Sequence, residues 1–483
     1  LIPFRATRWG ALAVVAAAAL ACSPGCRRAP AAGASLLLVT VDTLRADRVG
    51  AYGATDVRTP NIDALARRGL LFEQAVASAP LTLPSHATIL GGLEPPRHGA
   101  RNNGTHRFPA DRETLATLLQ ARGWATGAFV GAYVLDARFG LARGFDHYDA
   151  DIELREVGSS VLDSDRPCEE VVRAAASWLG RQRGRFFAWV HLYDPHAPYH
   201  PPAPYRDEYP ERPYEAEVAY ADACAGDAIA AAGRAAGDRL VVALLADHGE
   251  GRGDHGERTH GFFVYESTLR IPLILAGPGI PAGERRAGLA RTVDVLPTLL
   301  ELLGIPAPSG LEGASLLGRS AAADAYAETI LPQTLGWASL HAWRAGSLKY
   351  VEAPTPELYD LAADPSERSN LATERPADAD RLRRRLAAYR GDDRPWATAA
   401  PDPQVEERLR ALGYVGGAAE PRHGPLKDPK DMIELWQRFE ETIWAEARGD
   451  REAAIDGLRE LVARAPDNVA FRRSLMRVQL RDF

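Results

Sequence analysis

Three short apolar runs, each ending in acidic or imidazole side chains, constrain this chain most. Leu36 to Val41 runs into Asp42. Arg185 to Leu192 runs into Tyr193, Asp194, Pro195 and His196. Leu240 to Ala246 runs into Asp247, His248 and Gly249. After Pro30 such runs alternate with helical segments, which predicts an α/β fold with a mainly parallel sheet. Ligands of open α/β sheets gather beyond the carboxyl ends of the strands. A carboxylate after one strand is usually a turn or helix cap, but three such ends in one chain point to a shared site.

The fourth component is Pro80 to Ile89, P-L-T-L-P-S-H-A-T-I. Pro84 suits the first turn of a helix, and His86 to Leu90 continues that helix to Gly91 and Gly92. Thr82 therefore stands beside a helix N-terminus, where free N–H groups and the helix dipole favour a phosphoryl or sulfuryl group. A hydroxyl is a weak nucleophile at neutral pH and needs a base or a metal. Asp42, Asp247 and His248, joined by the Thr82 oxygen, form a donor set for at least one divalent ion (zinc, manganese or calcium), and Thr82 is the expected nucleophile.

Composition excludes little: of 483 residues 46% are hydrophobic and 25% charged, with net charge −7, as in ordinary globular protein. No basic tract or aromatic–Arg cluster points to nucleic acid. At the N-terminus Arg5 and Arg8 precede an apolar run, Ala11 to Ala21, too short to span a bilayer. Residues 1–21 thus read as a secretory signal. The A-L-A-C that ends at Cys22 resembles a lipoprotein cleavage box with Cys22 lipidated, so the expected location is the periplasm or cell surface, with membrane contact only through that lipid. Cys168 and Cys224, the two cysteines beyond the leader, could pair in an oxidising compartment and lack metal spacing.

Several stretches taken together carry a resemblance: V-D-T-L-R-A-D-R-V-G-A-Y-G with T-P-N-I-D-A-L-A from Val41, T-L-P-S-H-A-T-I-L-G-G-L from Thr82, R-H-G-A-R-N-N-G from Arg97, D-P-H-A-P-Y from Asp194, A-D-H-G-E from Ala246 and E-L-Y-D-L-A-A-D-P-S-E-R-S-N-L from Glu357. Over roughly residues 35–395 the chain resembles the sulfatase branch of the alkaline phosphatase superfamily. That resemblance implies a metal-dependent hydrolase of sulfuric or phosphoric esters, acting on small-molecule, glycan or lipid esters. It also implies a main sheet sandwiched by helices and a small C-terminal α+β subdomain.

The departures from the sulfatase pattern are as informative. Thr82 and His86 occupy the Cys and Arg positions of the C-x-P-S-R motif, and Thr is not a substrate for formylglycine maturation. The metal-binding Asp-Asp pair is Asp42-Thr43. The Lys and His of G-K-W-H-L-G are absent from Gly127 to Leu135, and His260 stands for the Lys that follows D-H-G-E. These changes are similar to relatives with a Thr nucleophile, the nucleotide pyrophosphatase/phosphodiesterases and the phosphoglycerol or phosphoethanolamine transferases. By that similarity Asn103 binds a substrate oxygen; His196 matches the sulfatase-family His of the P-H-x-P motif, which implies contact with the anion or leaving group, and His260 would be an anion contact, a general acid or a second-metal ligand. An irregular second site from Asp194, His196 and His260 stays open, as do structural roles for His191, His200 and His255. A transferase using the same Thr82 chemistry and a non-catalytic binding protein are the rival readings.

Residues 35–330 are expected to form the catalytic domain, 331–395 its subdomain and 396–430 a Pro-, Gly- and Ala-rich linker. In 431–483, Met432, Trp436, Phe439 and Ile443, then Ala454, Leu458 and Leu461, recur at helical spacing. Gly449-Asp450 and Pro466 make this tail resemble a tetratricopeptide unit, a surface for a protein partner. Roughly three repeats are needed for a continuous core, so the helices either dock on the catalytic domain or belong to a longer array.

Overall fold

A computed structural model describes residues 33–152, 155–157, 160–163, 166–318, 324–391 and 425–480. The leader, Cys22 and most of the 396–430 linker lie outside these residues. The strands are β1 (Ser35–Val41), β2 (Gly69–Val76), β3 (Ala125–Val130), β4 (His147–Asp149), β5 (Arg155–Val157), β6 (Ser160–Asp163), β7 (Phe186–Leu192), β8 (Leu240–Ala246), β9 (Arg270–Ile271), β10 (Leu273–Ala276), β11 (Glu284–Arg291), β12 (Asp324–Thr329), β13 (Leu340–Ala345), β14 (Leu348–Glu352) and β15 (Glu357–Asp360).

The main sheet runs β11-β2-β10-β8-β1-β7-β3-β4, with β9 paired to β2. The pairs β8/β1, β1/β7, β7/β3, β3/β4 and β11/β2 are parallel, whereas β10 runs antiparallel to both of its neighbours. The predicted strand-end runs are therefore three adjacent central strands, β8, β1 and β7. Every residue of β1 is buried, as expected of a parallel strand covered on both faces. Each Leu or Val held there stabilises the fold by about 1.5–3 kcal/mol relative to an exposed position.

Two groups of helices flank the sheet, Pro60–Arg67 with Cys168–Leu179 and Pro213–Ala236, and Thr82–Gly91 with Leu115–Gln120 and Val295–Leu302. A disulfide joins Cys168 to Cys224 and so ties two of these helices. The Thr82–Gly91 helix is buried along its whole length. Its polar groups are satisfied internally: Ser85 Oγ donates to the Asp247 carbonyl at 2.6 Å, and Thr88 Oγ1 pairs with His98 Nε2 at 3.1 Å. The helix stops at Gly92, which is left-handed at φ 64°; an added Cβ would meet Leu296 and Leu311 at 2.9 and 3.0 Å.

A second sheet, antiparallel in the order β12-β13-β14-β15, packs with the helix Pro376–Arg390. It opens at Asp324, ahead of the expected boundary at 331. The tail forms the helices Ile433–Ala447, Arg451–Arg464 and Val469–Leu480, which pack in sequence. They dock on the catalytic domain. Trp436 stacks on Phe262 with centroids 5.1 Å apart, Phe471 meets Trp337 edge-on, and Asn468 Nδ2 donates to the Leu335 carbonyl at 3.1 Å.

Candidate active site

The ends of β1 and β8 and the start of the Thr82–Gly91 helix converge. Thr82 Oγ1 lies 3.5 Å from Asp42 Oδ2 and 3.5 Å from His248 Nε2. His248 Nε2 is also 3.5 Å from Asp42 Oδ1 and from Asp247 Oδ2. All four residues are buried. Asp42, Asp247 and His248 bring their ligand atoms within 4.8 Å of one another and could hold a metal ion.

The residues present fit a divalent cation on two grounds. Asp42 Oδ1 and Asp247 Oδ2 are buried without a hydrogen-bond partner, which is costly for carboxylates unless a cation meets them. The 3.5 Å separations also lie near the edge, about 3.4 Å, of a tetrahedron with bonds of about 2.1 Å. Burial first, then the charge of Glu250, pushes the Asp42 carboxyl well above its usual range; burial and then Asp42 do the same to Asp247. Burial holds the His248 ring neutral, the state a ligand requires.

Thr43, next to Asp42, contributes its backbone to the cluster. Its N–H donates to Asp247 Oδ1 at 3.3 Å, and its carbonyl accepts from Tyr214 at 2.8 Å. Its hydroxyl donates to the Pro195 carbonyl.

Asn103 caps the helix start. Its Oδ1 accepts from the Leu83 N–H at 2.9 Å, which fixes the amide orientation and leaves Nδ2 buried without a partner. His196 donates from Nδ1 to the Ala197 carbonyl at 2.6 Å and stacks on Tyr193; its Nε2 is buried and unpartnered. His260 joins the group, with its ring centroid 4.5 Å from His248 and 4.9 Å from His196. Glu250 Oε1 lies 3.2 Å from His260 Nδ1, and Tyr199 donates to Glu250 Oε2 at 3.2 Å.

The irregular second metal site does not assemble. Asp194 turns to the helix Cys168–Leu179 and accepts the Cys168 N–H at 3.0 Å, while burial lifts its carboxyl to about 6. His255 stacks on Tyr265 and pairs with the Ser366 carbonyl, outside the cluster. His191, in contrast, belongs to it: its Nε2 is 3.5 Å from Asp42 Oδ2 and its Nδ1 3.2 Å from Thr40 Oγ1. Thr40 and Glu250 escaped the sequence reading. Period-two spacing was the available signal for Thr40, which shares a strand face with Asp42 and sits opposite His191 in the β1/β7 register.

Comparison with known proteins gives this geometry its family. The family model described as Sulfatase matches residues 35–305. The chain belongs to the sulfatase family. A second model, N-sulphoglucosamine sulphohydrolase, C-terminal, matches residues 253–390. Among relatives, the Delta 4,5-hexuronate-2-O-sulfatase of Bacteroides thetaiotaomicron is 26% identical over 70% of this chain and 84% of its own length. The Ulvan-active sulfatase of Formosa agariphila is 27% identical over 70% and 76%. Among solved structures, the phosphonate monoester hydrolase of Agrobacterium radiobacter superposes with a TM-score of 0.63 at 22% identity, covering 75% of this chain and 96% of that one. The alkaline-phosphatase-like fold expected from the sequence is thus the fold observed, and the chain is a sulfatase-family ester hydrolase.

Proposed function

We propose that this protein hydrolyses sulfate or phosphate esters, the latter as phosphodiesters or phosphonate esters, through Thr82 and without formylglycine. The observation that carries this reading is Thr82 Oγ1 at 3.5 Å from both Asp42 and His248. A hydroxyl needs an adjacent base or a metal to act as a nucleophile, and Thr82 faces the residues that could supply either. Asp42, Asp247 and His248 would hold a divalent ion, zinc, manganese or calcium; when bound, it supplies positive charge that favours the ionised hydroxyl and the charge on the transferred group.

The chain's own residues do the rest. The Thr82 hydroxyl proton leaves toward the Asp42 oxygen it faces, Oγ bonds to sulfur or phosphorus, and the bond from that atom to the ester oxygen breaks. His260 gives its Nε2 proton to the departing oxygen as the Glu250 carboxyl, which burial lifts to about 8, passes one to Nδ1. The unpartnered Asn103 Nδ2 donates to a non-bridging oxygen, and His196 stands beside His260 with ring centroids 4.9 Å apart. Water then cleaves the Thr82 ester and restores the hydroxyl. Sulfate monoesters and phosphodiesters are both tetrahedral monoanions, so one site suits either. The Cys168–Cys224 disulfide accords with export to an oxidising compartment through the N-terminal signal, with Cys22 as the lipid anchor.

The test is turnover of nitrophenyl phosphodiester, phosphomonoester, phosphonate and sulfate esters with zinc, manganese or calcium, in the wild type, Thr82→Ala and Asp247→Asn. Thr82→Ala abolishes turnover, and Asp247→Asn binds less metal by elemental analysis. Activity surviving in Thr82→Ala overturns the mechanism.

A further inference from the structure

We propose that the tail helix Ile433–Ala447 is a positioning element of the active site, in which Glu440 and Trp436 hold the loop that presents His260. This rests on the role given to His260 above.

The residues flanking His260 in sequence are held from the tail side. Thr259 Oγ1 donates to Glu440 Oε1 at 2.6 Å. Phe262 lies against Trp436 with ring planes only 13° apart. Gln437 donates to the Gly256 carbonyl, and Arg258 pairs with Glu441 at 2.7 Å. The last of these is a half-exposed ion pair and contributes little. The Thr259–Glu440 bond and the Phe262–Trp436 stack are different, because Glu440, Trp436 and Phe262 are all buried.

The same loop also lies against Leu81, next to the nucleophile in sequence. Gly261 is at φ +94°, and an added Cβ would come within 2.9 Å of Leu81, the residue that precedes Thr82, and 3.0 Å of Leu331. Within the loop, Glu257 Oε1 accepts the Phe262 and Phe263 N–H groups at 2.6 and 3.2 Å. His260 is thus set in a strip of chain clamped between the tail helix and the start of the Thr82–Gly91 helix. Its Nδ1 is aligned by Glu250 from a third direction. A shift of the clamp moves the imidazole relative to Thr82, and misplacement of a catalytic group by about 1 Å can cost on the order of a hundredfold in rate.

The test is a double-mutant cycle in the full-length protein, read with 4-nitrophenyl sulfate and bis(4-nitrophenyl) phosphate. Glu440→Ala, and independently the isosteric Thr259→Val, lower kcat by about tenfold or more with KM nearly unchanged, and Glu440→Gln, which still accepts from Thr259, recovers most of the loss. In a His260→Ala background the same changes have less than about a twofold effect, because the group they position is gone. Thermal melts identify any variant that fails to fold, and Thr259→Val then decides. Equal losses in both backgrounds, or wild-type rates in Glu440→Ala and Thr259→Val, overturn the positioning role alone. Wild-type rates in His260→Ala overturn it together with the role of His260.

Discussion

His86 holds the backbone of the nucleophile: its Nδ1 is 2.8 Å from the Thr82 carbonyl oxygen. A carbonyl only accepts, so Nδ1 carries the hydrogen, and burial keeps the ring neutral, with Nε2 an acceptor. Nε2 meets Thr40 Oγ1 at 2.9 Å and takes its hydroxyl hydrogen. Trp189 Nε1 donates to the same oxygen at 3.0 Å, and His191 Nδ1 fills its remaining lone pair. One threonine hydroxyl thereby fixes the ring that holds Thr82 and the ring that faces Asp42.

Thr40→Val keeps the shape of the side chain and deletes this hub. Trp189 is left as a buried donor without an acceptor and His191 loses its hydroxyl partner, which costs about 1–3 kcal/mol of stability. The expected kinetic effect is a loss of about tenfold in kcat, with Thr40→Ser close to wild type. Thermal melts and steady-state kinetics on the three proteins check it; equal rates in Val and wild type would show that the hub does not reach the nucleophile.

His86→Arg restores the residue that the sulfatase pattern carries at this position, yet loss rather than gain is expected. The His86 ring is buried between Trp189 and His191, at 5.3 and 4.8 Å between centroids. An arginine there is too long, and overpacking of this kind costs about 1–3 kcal/mol. A lowered melting temperature without increased sulfate-ester turnover is the expected result. Increased turnover would instead mean that the site readily accepts the longer cation.

Much of the site was legible because it obeys rules local in sequence. An apolar run ending in Asp or His marks a strand end, and Pro84 with Gly91 and Gly92 marks the limits of the helix that Thr82 begins. The antiparallel β10 within the central sheet was not legible, since a four-residue apolar run carries no sign of strand direction. Nor was the fate of Asp194: the same residue type at the same kind of strand end faces a helix N-terminus rather than the cluster. His191 was ambiguous because its role depends on Thr40 and Asp42, which are distant in sequence. The tail repeats at helical spacing, but its docking depends on Phe262 and Trp337, and no pattern within residues 431–483 names them.

The disulfide closes a long loop, with a sequence separation of 56. In the chain-entropy account a cross-link of that span contributes about 4 kcal/mol. Cys168 is also the residue whose N–H holds Asp194, just ahead of the Pro195-His196 turn. The pair Cys168→Ala and Cys224→Ala should therefore lose stability in urea melts by about 2–5 kcal/mol. The reduced wild type should behave in the same way, while a midpoint unchanged by reductant would exclude a stabilising role for the bond.

Glu440 yields a prediction in which the sign of the pH effect is decisive. Burial, outweighing the hydrogen bond from Thr259, pushes its carboxyl from 4.5 up to about 8; Glu250 and Glu441 add to the rise and Arg258 opposes it. Between pH 4.5 and 8 the unfolded chain gives up this proton while the native protein keeps it. Stability therefore falls as pH rises through that window, by up to a few kcal/mol from this one group. Gln has the same shape and never ionises. The melting temperature of Glu440→Gln should match that of wild type near pH 5 and exceed it increasingly toward pH 8. Parallel curves across that range would mean that the native protein ionises Glu440 as readily as the unfolded chain does, and the contact with Thr259 would then be made by a carboxylate.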